Sequence, residues 1–245
     1  MKVDTETLAY IQNVVKTAQI VKIGNIIIEP DKVRAIDDDK QVVLFQDTDV
    51  PEMPFGSIGL NRIDVFMTRY EVAKTFDNFE LEAVMPDKSG DEDDDKPKFT
   101  RALLMKGKGI KIDYRCANPA TIQAPKMIND QVKYKVAMNP EAVLMMSKGQ
   151  SAMTSEDVAL ISDKNGVSLE MTDINGDVFN YHFADKPLLM DKKADGKDTN
   201  FVHKYPLKIV LPLFKVCSDS PFFITSRGMI KLAVNGLDMY VLPKA

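Results

Sequence analysis

Hydrophobic positions along this chain alternate between a helical and a strand period. Over residues 5–19, Leu8, Ile11, Val15 and Ala18 recur at helical spacing with Gln12, Lys16 and Gln19 on another face, which predicts a helix. Asp4 or Thr5 caps it, and Glu6 puts negative charge in its first turn. Apolar runs over 20–29, 32–36 and 41–46, separated by Pro30-Asp31 and Asp37-Asp38-Asp39, read as strands. A second helix is predicted over 60–74, with Leu60, Ile63, Met67 and Tyr70 as its stripe, followed by an alternating strand over 79–85. Residues 101–114 then read as two short strands across a turn at Gly109.

The second half restates this order. A strand over 133–137 leads to Asn139-Pro140-Glu141, which caps and opens a helix to about Gly149. Strands over 158–162, 167–172 and 178–183 follow, separated by two turns that contain Asn-Gly. A polar loop over 191–200 precedes a helix over 206–218, which Pro212 should kink. A strand over 222–226 and a hairpin over 227–241, with Gly236 standing where Gly109 stood, close the chain. Each half therefore reads strand, helix, three strands, helix, three strands. Between them, residues 117–130 carry Pro119 and Pro125 and no period, as a linker does. The reading divides the chain into domains 1–117 and 133–245, joined by a connector over 118–132.

Composition is that of a water-soluble protein: 245 residues, 44% hydrophobic and 28% charged, with no apolar run long enough to cross a membrane and no signal-peptide stretch at Met1. Cys116 and Cys217 make no disulfide framework and suit a reduced compartment. His182 and His203 lack ligand-spaced neighbours, Gly107-Lys108-Gly109 is too short for a phosphate loop, and Ser220 and Ser226 have no nucleophile-elbow context. The expectation is a protein with no catalytic residues, no metal and no cofactor.

The net charge of −4 argues against a protein that grips nucleic acid over most of its surface. The distribution matters more. Arg62 and Arg69 lie seven apart on the second predicted helix, and Lys208 and Lys215 seven apart on the fourth, so each pair shares a helix face. Sliding one helix onto the other puts Ile63 on Ile209 and Met67 on Leu213. Lys16 and Lys148 sit late in the other two helices, while acidic residues collect at Asp37–Asp39 and Asp91–Asp95, the latter in a solvated loop. Taken one at a time, such pairs are ordinary solvated faces. Taken together, four helices with positive charge outward suit sequence-independent contact with duplex phosphates by a ring or a groove.

The two-domain order and the basic helices resemble the sliding clamps of DNA replication, the PCNA-like and T4-type phage processivity factors. The stretch Leu207-Lys-Ile-Val-Leu-Pro-Leu-Phe-Lys-Val-Cys217, with Gly236-Leu-Asp-Met-Tyr-Val-Leu-Pro-Lys244, is similar to the last helix and last strand of PCNA. The resemblance implies an α+β, DNA-clamp fold: two similar clamp domains, antiparallel sheets outside, and helices lining a central hole in a ring of three chains. It implies a non-enzymatic processivity factor that encircles double-stranded DNA and tethers DNA polymerase and other replication proteins after placement by a clamp loader. Subunits would pair edge to edge through Ile110, Ile112 and Tyr114 on one side and Val178, Phe179, Tyr181 and Phe183 on the other. A partner groove would draw on Ile36, Lys40 and Gln41, on Ile122, Pro125, Met127 and Ile128, and on Tyr240, Leu242 and Pro243. The last three equally suit a terminal strand tucked into its own core.

Three features depart from PCNA: Arg227-Gly228 stands where PCNA has a proline, no acidic tail follows Lys244-Ala245, and Pro212 interrupts a hole-lining helix. Alternatives to the ring are a clamp-like subunit that holds DNA in a groove and a two-domain scaffold that binds only proteins. No basic nuclear-import run is present, which points to cytoplasm, a bacterial host's if the chain is viral, and leaves a nuclear address open.

Overall fold

The structure, a computed structural model, describes residues 1–86, 99–190 and 200–244. The acidic run Asp91–Asp95 and most of the polar loop over 191–200 lie outside the described residues. The chain forms two compact units: Met1–Asp38 with Leu44–Met127, and Asp39–Val43 with Ile128–Ala245.

In the first unit, α1 (Thr5–Ile20) is followed by β1 (Asn25–Ile28), β2 (Val33–Ile36), β3 (Val42–Gln46) and β4 (Ile58–Asn61), then α2 (Ile63–Ala73), β5 (Glu80–Val84), β6 (Ala102–Gly107) and β7 (Ile110–Arg115). The second unit contains β8 (Val132–Val136), α3 (Pro140–Met153), β9 (Asp157–Asp163), β10 (Gly166–Thr172), β11 (Val178–Ala184), a short β12 (Leu188–Leu189), β13 (Phe201–Pro206), α4 (Leu207–Val216), β14 (Phe222–Thr225), β15 (Ile230–Val234) and β16 (Leu237–Val241).

The strand order repeats. In the first unit β3, β2, β1 and β4 lie side by side in that order, and in the second β11, β10, β9 and β13 do the same. Third, second, first, fourth is one topology used twice. The second sheets also match: β5, β6 and β7 form one meander and β14, β15 and β16 another. Even the strand preceding each first helix has its counterpart, since Lys2 bridges Glu82 on β5 and β8 pairs with β14. Antiparallel pairing between neighbouring strands, with helices packed on the sheets, makes the class α+β.

Local chemistry explains the element ends. The Asp4 carboxylate accepts from the Thr7 N–H at 2.8 Å, and the Asn139 side chain accepts from the Ala142 N–H at 2.7 Å with Pro140 as first helical residue. The two hairpins turn on Gly109 (φ 75°) and on Asn235-Gly236 (φ 52° and 81°), left-handed positions that glycine and asparagine occupy at least cost.

Several sequence expectations need correction. The second helix begins at Ile63, not residue 60: Leu60 belongs to β4, and Arg62 is the left-handed N-cap at φ 56°. The strand β4 reads Ile-Gly-Leu-Asn, too short and too uniformly buried to show alternation. Its counterpart β13, between polar loop and helix, was likewise unrecognised, and Pro206 ends that strand rather than opening α4. Helix α1 runs on to Ile20, so β1 starts only at Asn25, and α3 continues past Gly149 to Met153. Pro212 lies within α4, half-exposed; the ring's missing N–H leaves the helix continuous to Val216.

Candidate functional site

Each helix presents at least one cation to solvent: Lys16 on α1, Lys148 on α3, and Lys208 and Lys215 on α4 are exposed, as is Arg62 ahead of α2. Arg69 is half-exposed, and its Nη1 donates to the Asp113 carbonyl of β7 at 3.0 Å, tying α2 to that strand. The expected separation of charge holds only in part. Asp64 and Glu71 are exposed on α2, where Asp64 accepts from Gln19 Nε2 at 2.7 Å. Lys208 Nζ lies 2.8 Å from Asp39 Oδ2, one of the acidic residues expected to stand apart, and this ammonium holds the Asp39 carboxyl below its usual range. Lys208 also lines a recess of about 370 Å³ with Gln41, Gln150, Glu156 and Lys244. Lys16, Lys148 and Lys215 are in no ion pair among the described residues.

Among the described residues, six strands end the three sheets: β4, β5, β7, β11, β12 and β13. In the first unit β7 lies at the edge of its meander; in the second β11 lies at the edge of its four-stranded sheet. Each has a side with no neighbouring strand among the described residues, as strand addition requires, although Arg69 already donates to the Asp113 carbonyl of β7 and Asn139 to the Phe183 carbonyl of β11. Along β7, Ile110 is 46% exposed and Ile112 half-buried; along β11, Val178 is 57% exposed and Phe179 and Tyr181 half-buried. Within the expected interface set, the side chains of Tyr114 and Phe183 are buried in their own units. Tyr114 donates to the Asn61 carbonyl and packs edge-on against Phe66 at 5.2 Å, and burial pushes its phenol up to about 12. Such residues could join an interface only through their backbone. The sequence reading missed two exposed aliphatic helix residues, Val72 on α2 and Leu144 on α3. An aliphatic side chain at an exposed helical position within an otherwise polar face was the available signal.

The residues assigned to a partner groove are distributed over both units and are described where they lie. In the first, Arg34 forms a paired contact with Glu29 (2.7 and 2.9 Å) and donates from Nη1 to the Pro125 carbonyl at 3.3 Å, anchoring the connector segment. That segment begins on Gly59, where a Cβ would stand 2.3 Å from the Ala117 oxygen and 3.2 Å from Ile122 Cδ1. Ile36 and Pro125 are half-buried and Met127 exposed. In the second, the Leu242 N–H donates to the Gln41 carbonyl at 2.9 Å, bringing those two together; Lys40 is exposed, and Ile128, Leu242 and Pro243 are half-exposed. Tyr240 is only 7% exposed, with Lys231 Nζ 5.5 Å from its ring centroid.

His203 is a packing residue: its ring stacks on Phe201 at 5.6 Å and occupies the space a Cβ on Gly228 would need. Burial lowers its affinity for a proton. No group of three His, Cys, Asp or Glu side chains among the described residues has metal-ligand geometry. No helix among the described residues is long and apolar enough to cross a membrane.

No protein-family model matches the sequence, and no curated protein matches it. The fold has clear relatives among solved structures. Proliferating Cellular Nuclear Antigen from Entamoeba histolytica superposes with a TM-score of 0.57 at 13% identity, over 97% of this chain and 96% of that one. PCNA of A. fulgidus, solved with the C-terminal region of FEN-1 bound, superposes with a TM-score of 0.56 at 13% identity, over 95% and 96%. The DNA polymerase sliding clamp of Pseudomonas aeruginosa gives 0.59 at 7% identity; 92% of this chain matches 58% of that longer one. The chain therefore has the sliding-clamp fold, in the two-unit form.

Proposed function

We propose that this chain is a DNA polymerase processivity factor: three copies close into a ring around duplex DNA and tether polymerase and other replication proteins to it. The observation that carries the reading is that β7 in one unit and β11 in the other both end their sheets with an apolar residue exposed; β12 and β13 do so too, and the clamp fold favours the first pair. A chain with one such edge could pair only as a dimer of like edges. A chain with two different ones makes a head-to-tail contact, which closes into a ring when the rotation allows. The clamp fold supports that closure, with 1–117 and 133–245 as clamp domains and 118–132 as connector.

The mechanism is topological and needs no catalytic group. A closed ring leaves DNA only by opening or by sliding off an end. Sliding requires that phosphate contacts be few, because each neutralised phosphate adds about 0.9 to the slope of log K against log salt. Lys16, Lys148 and Lys215, with Arg62, Arg69 and the Asp39-paired Lys208, supply weak contacts that carry no sequence information. Partner docking is assigned to the half-exposed Leu242 and Pro243 beside Gln41; that a protein of this fold takes up a partner segment is seen in the A. fulgidus PCNA with the C-terminal region of FEN-1 bound. A loader would open the ring, and the whole cycle belongs in the compartment that holds the DNA, the cytoplasm for a phage or bacterial chain.

Light scattering tests the assembly. A mass near three times the 27.4 kDa chain is expected at micromolar concentration, and a monomer there would count against the ring.

A further inference from the structure

The register of the second unit's larger sheet aligns an unusual row of side chains. Leu188 lies opposite Lys135, Lys135 opposite Phe223, Phe223 opposite Lys231, and Lys231 opposite Tyr240. Directly opposed residues share a face, so five strands, β12, β8, β14, β15 and β16, carry one line of alternating apolar and cationic side chains. At about 4.8 Å per strand the line is roughly 19 Å long, and its two lysines stand about 10 Å apart with Phe223 between them. The row that follows in register, Tyr134, Ile224, Ile230 and Val241, is buried, so the opposite face of this sheet is core and the lysine row is the solvent side.

The row is built rather than incidental. Lys231 Nζ sits 2.6 Å from Asp238 and 5.5 Å from the Tyr240 ring centroid, which fixes that ammonium over an aromatic floor. Lys135 has no ion-pair partner among the described residues. Leu188 at the row's end is 65% exposed, while Phe223 is half-buried between the two lysine stems. Along the row two lysines stand with one carboxylate, Asp238, among the described residues, on a protein that is acidic as a whole.

We propose that this face docks an extended acidic peptide segment: an apolar side chain seats on Phe223, and carboxylates three residues apart meet Lys135 and Lys231. In a polyproline-II segment, with three residues per turn, such carboxylates share one face about 9 Å apart, close to the spacing of the two lysines. Charge-assisted hydrogen bonds to two ammonium groups give direction, and the Leu188 end offers a second apolar contact. A single-stranded nucleic acid is the other polyanion to consider. Stacking of bases needs ring faces open to solvent, but Tyr240 is covered by Lys231 and Phe223 is flanked on both sides, so the peptide is the better fit. The row lies within one unit and does not depend on ring closure.

Fluorescence anisotropy on the intact chain tests this, with a labelled hexapeptide carrying two aspartates three residues apart around Leu-Phe. Saturable binding is expected. Lys135→Glu should weaken it at least tenfold, Phe223→Ser about tenfold, and Lys135→Gln, which keeps most of the stem, by a smaller factor; the mass by light scattering should stay unchanged in all three. A hexapeptide with lysines in place of the aspartates should not bind. Absence of binding by the acidic peptide, equal binding of the basic one, or unchanged affinity in the variants would overturn the proposal. So would oligothymidylate binding that the same variants abolish, since the row would then be a nucleic-acid platform.

Discussion

Reversing Lys16, Lys148 and Lys215 together to glutamate is expected to lower affinity for duplex DNA by well over tenfold and to flatten its salt dependence. These three cations are exposed, lie on three different helices and are in no ion pair among the described residues. Each lost phosphate contact should take about 0.9 off the slope of log K against log salt. Lys208→Glu alone should cost less than Lys215→Glu alone, although the two share a helix. Lys208 already faces Asp39 at 2.8 Å, so a phosphate must displace a carboxylate to reach it. Binding of a labelled duplex at several salt concentrations reads both effects. Equal losses for the two single variants would show that Asp39 is no competitor, and an unchanged slope in the triple variant would remove the helices from the DNA contact. Arg69 is left out of the set because its bond to the Asp113 carbonyl makes it structural as well.

The second large effect concerns closure. Ile110→Asp or Val178→Asp should convert a trimer into monomers. Each places a carboxylate at an edge strand where an apolar side chain is now exposed. Covered by the next subunit without a partner, such a charge costs about 3 kcal/mol or more per interface. A ring repeats the interface three times, so the assembled state loses about 9 kcal/mol, enough to dissociate most protein assemblies at micromolar concentration. Ile174→Asp is the control: Ile174 is 98% exposed in the β10–β11 turn, off the strand itself. Its mass by light scattering should match that of the unaltered chain. A trimer that survives both edge variants would mean that subunits meet elsewhere.

The architecture was legible from the chain to a useful degree because its signals are local. Asn139-Pro140, the Asn-Gly turns and the stripe Ile11, Val15, Ala18 each encode their element within a few residues. What escaped was governed by neighbours in space. Strands β4 and β13 join their sheets through pairing with β1 and β9, with no alternation of their own to show it. Arg62 looked helical by spacing alone, yet it adopts the left-handed conformation that turns β4 into α2. Charge was read by sign and position along the chain, so the Asp39–Lys208 pair, 169 residues apart, had no trace in the sequence. Tyr114 belongs to a family interface pattern, whereas its side chain fills its own core. The surfaces offered by Val72 and Leu144 needed the packing of α2 and α3 to be seen.

Topological capture is the central claim, and retention on DNA of defined ends measures it most directly. The protein, assembled on circular duplex DNA and passed through a sizing column at moderate salt, should travel with the circle and be released once a single cut linearises it. Equal retention on circular and linear DNA would show a grip on phosphates rather than a closed ring, and would contradict the sliding clamp.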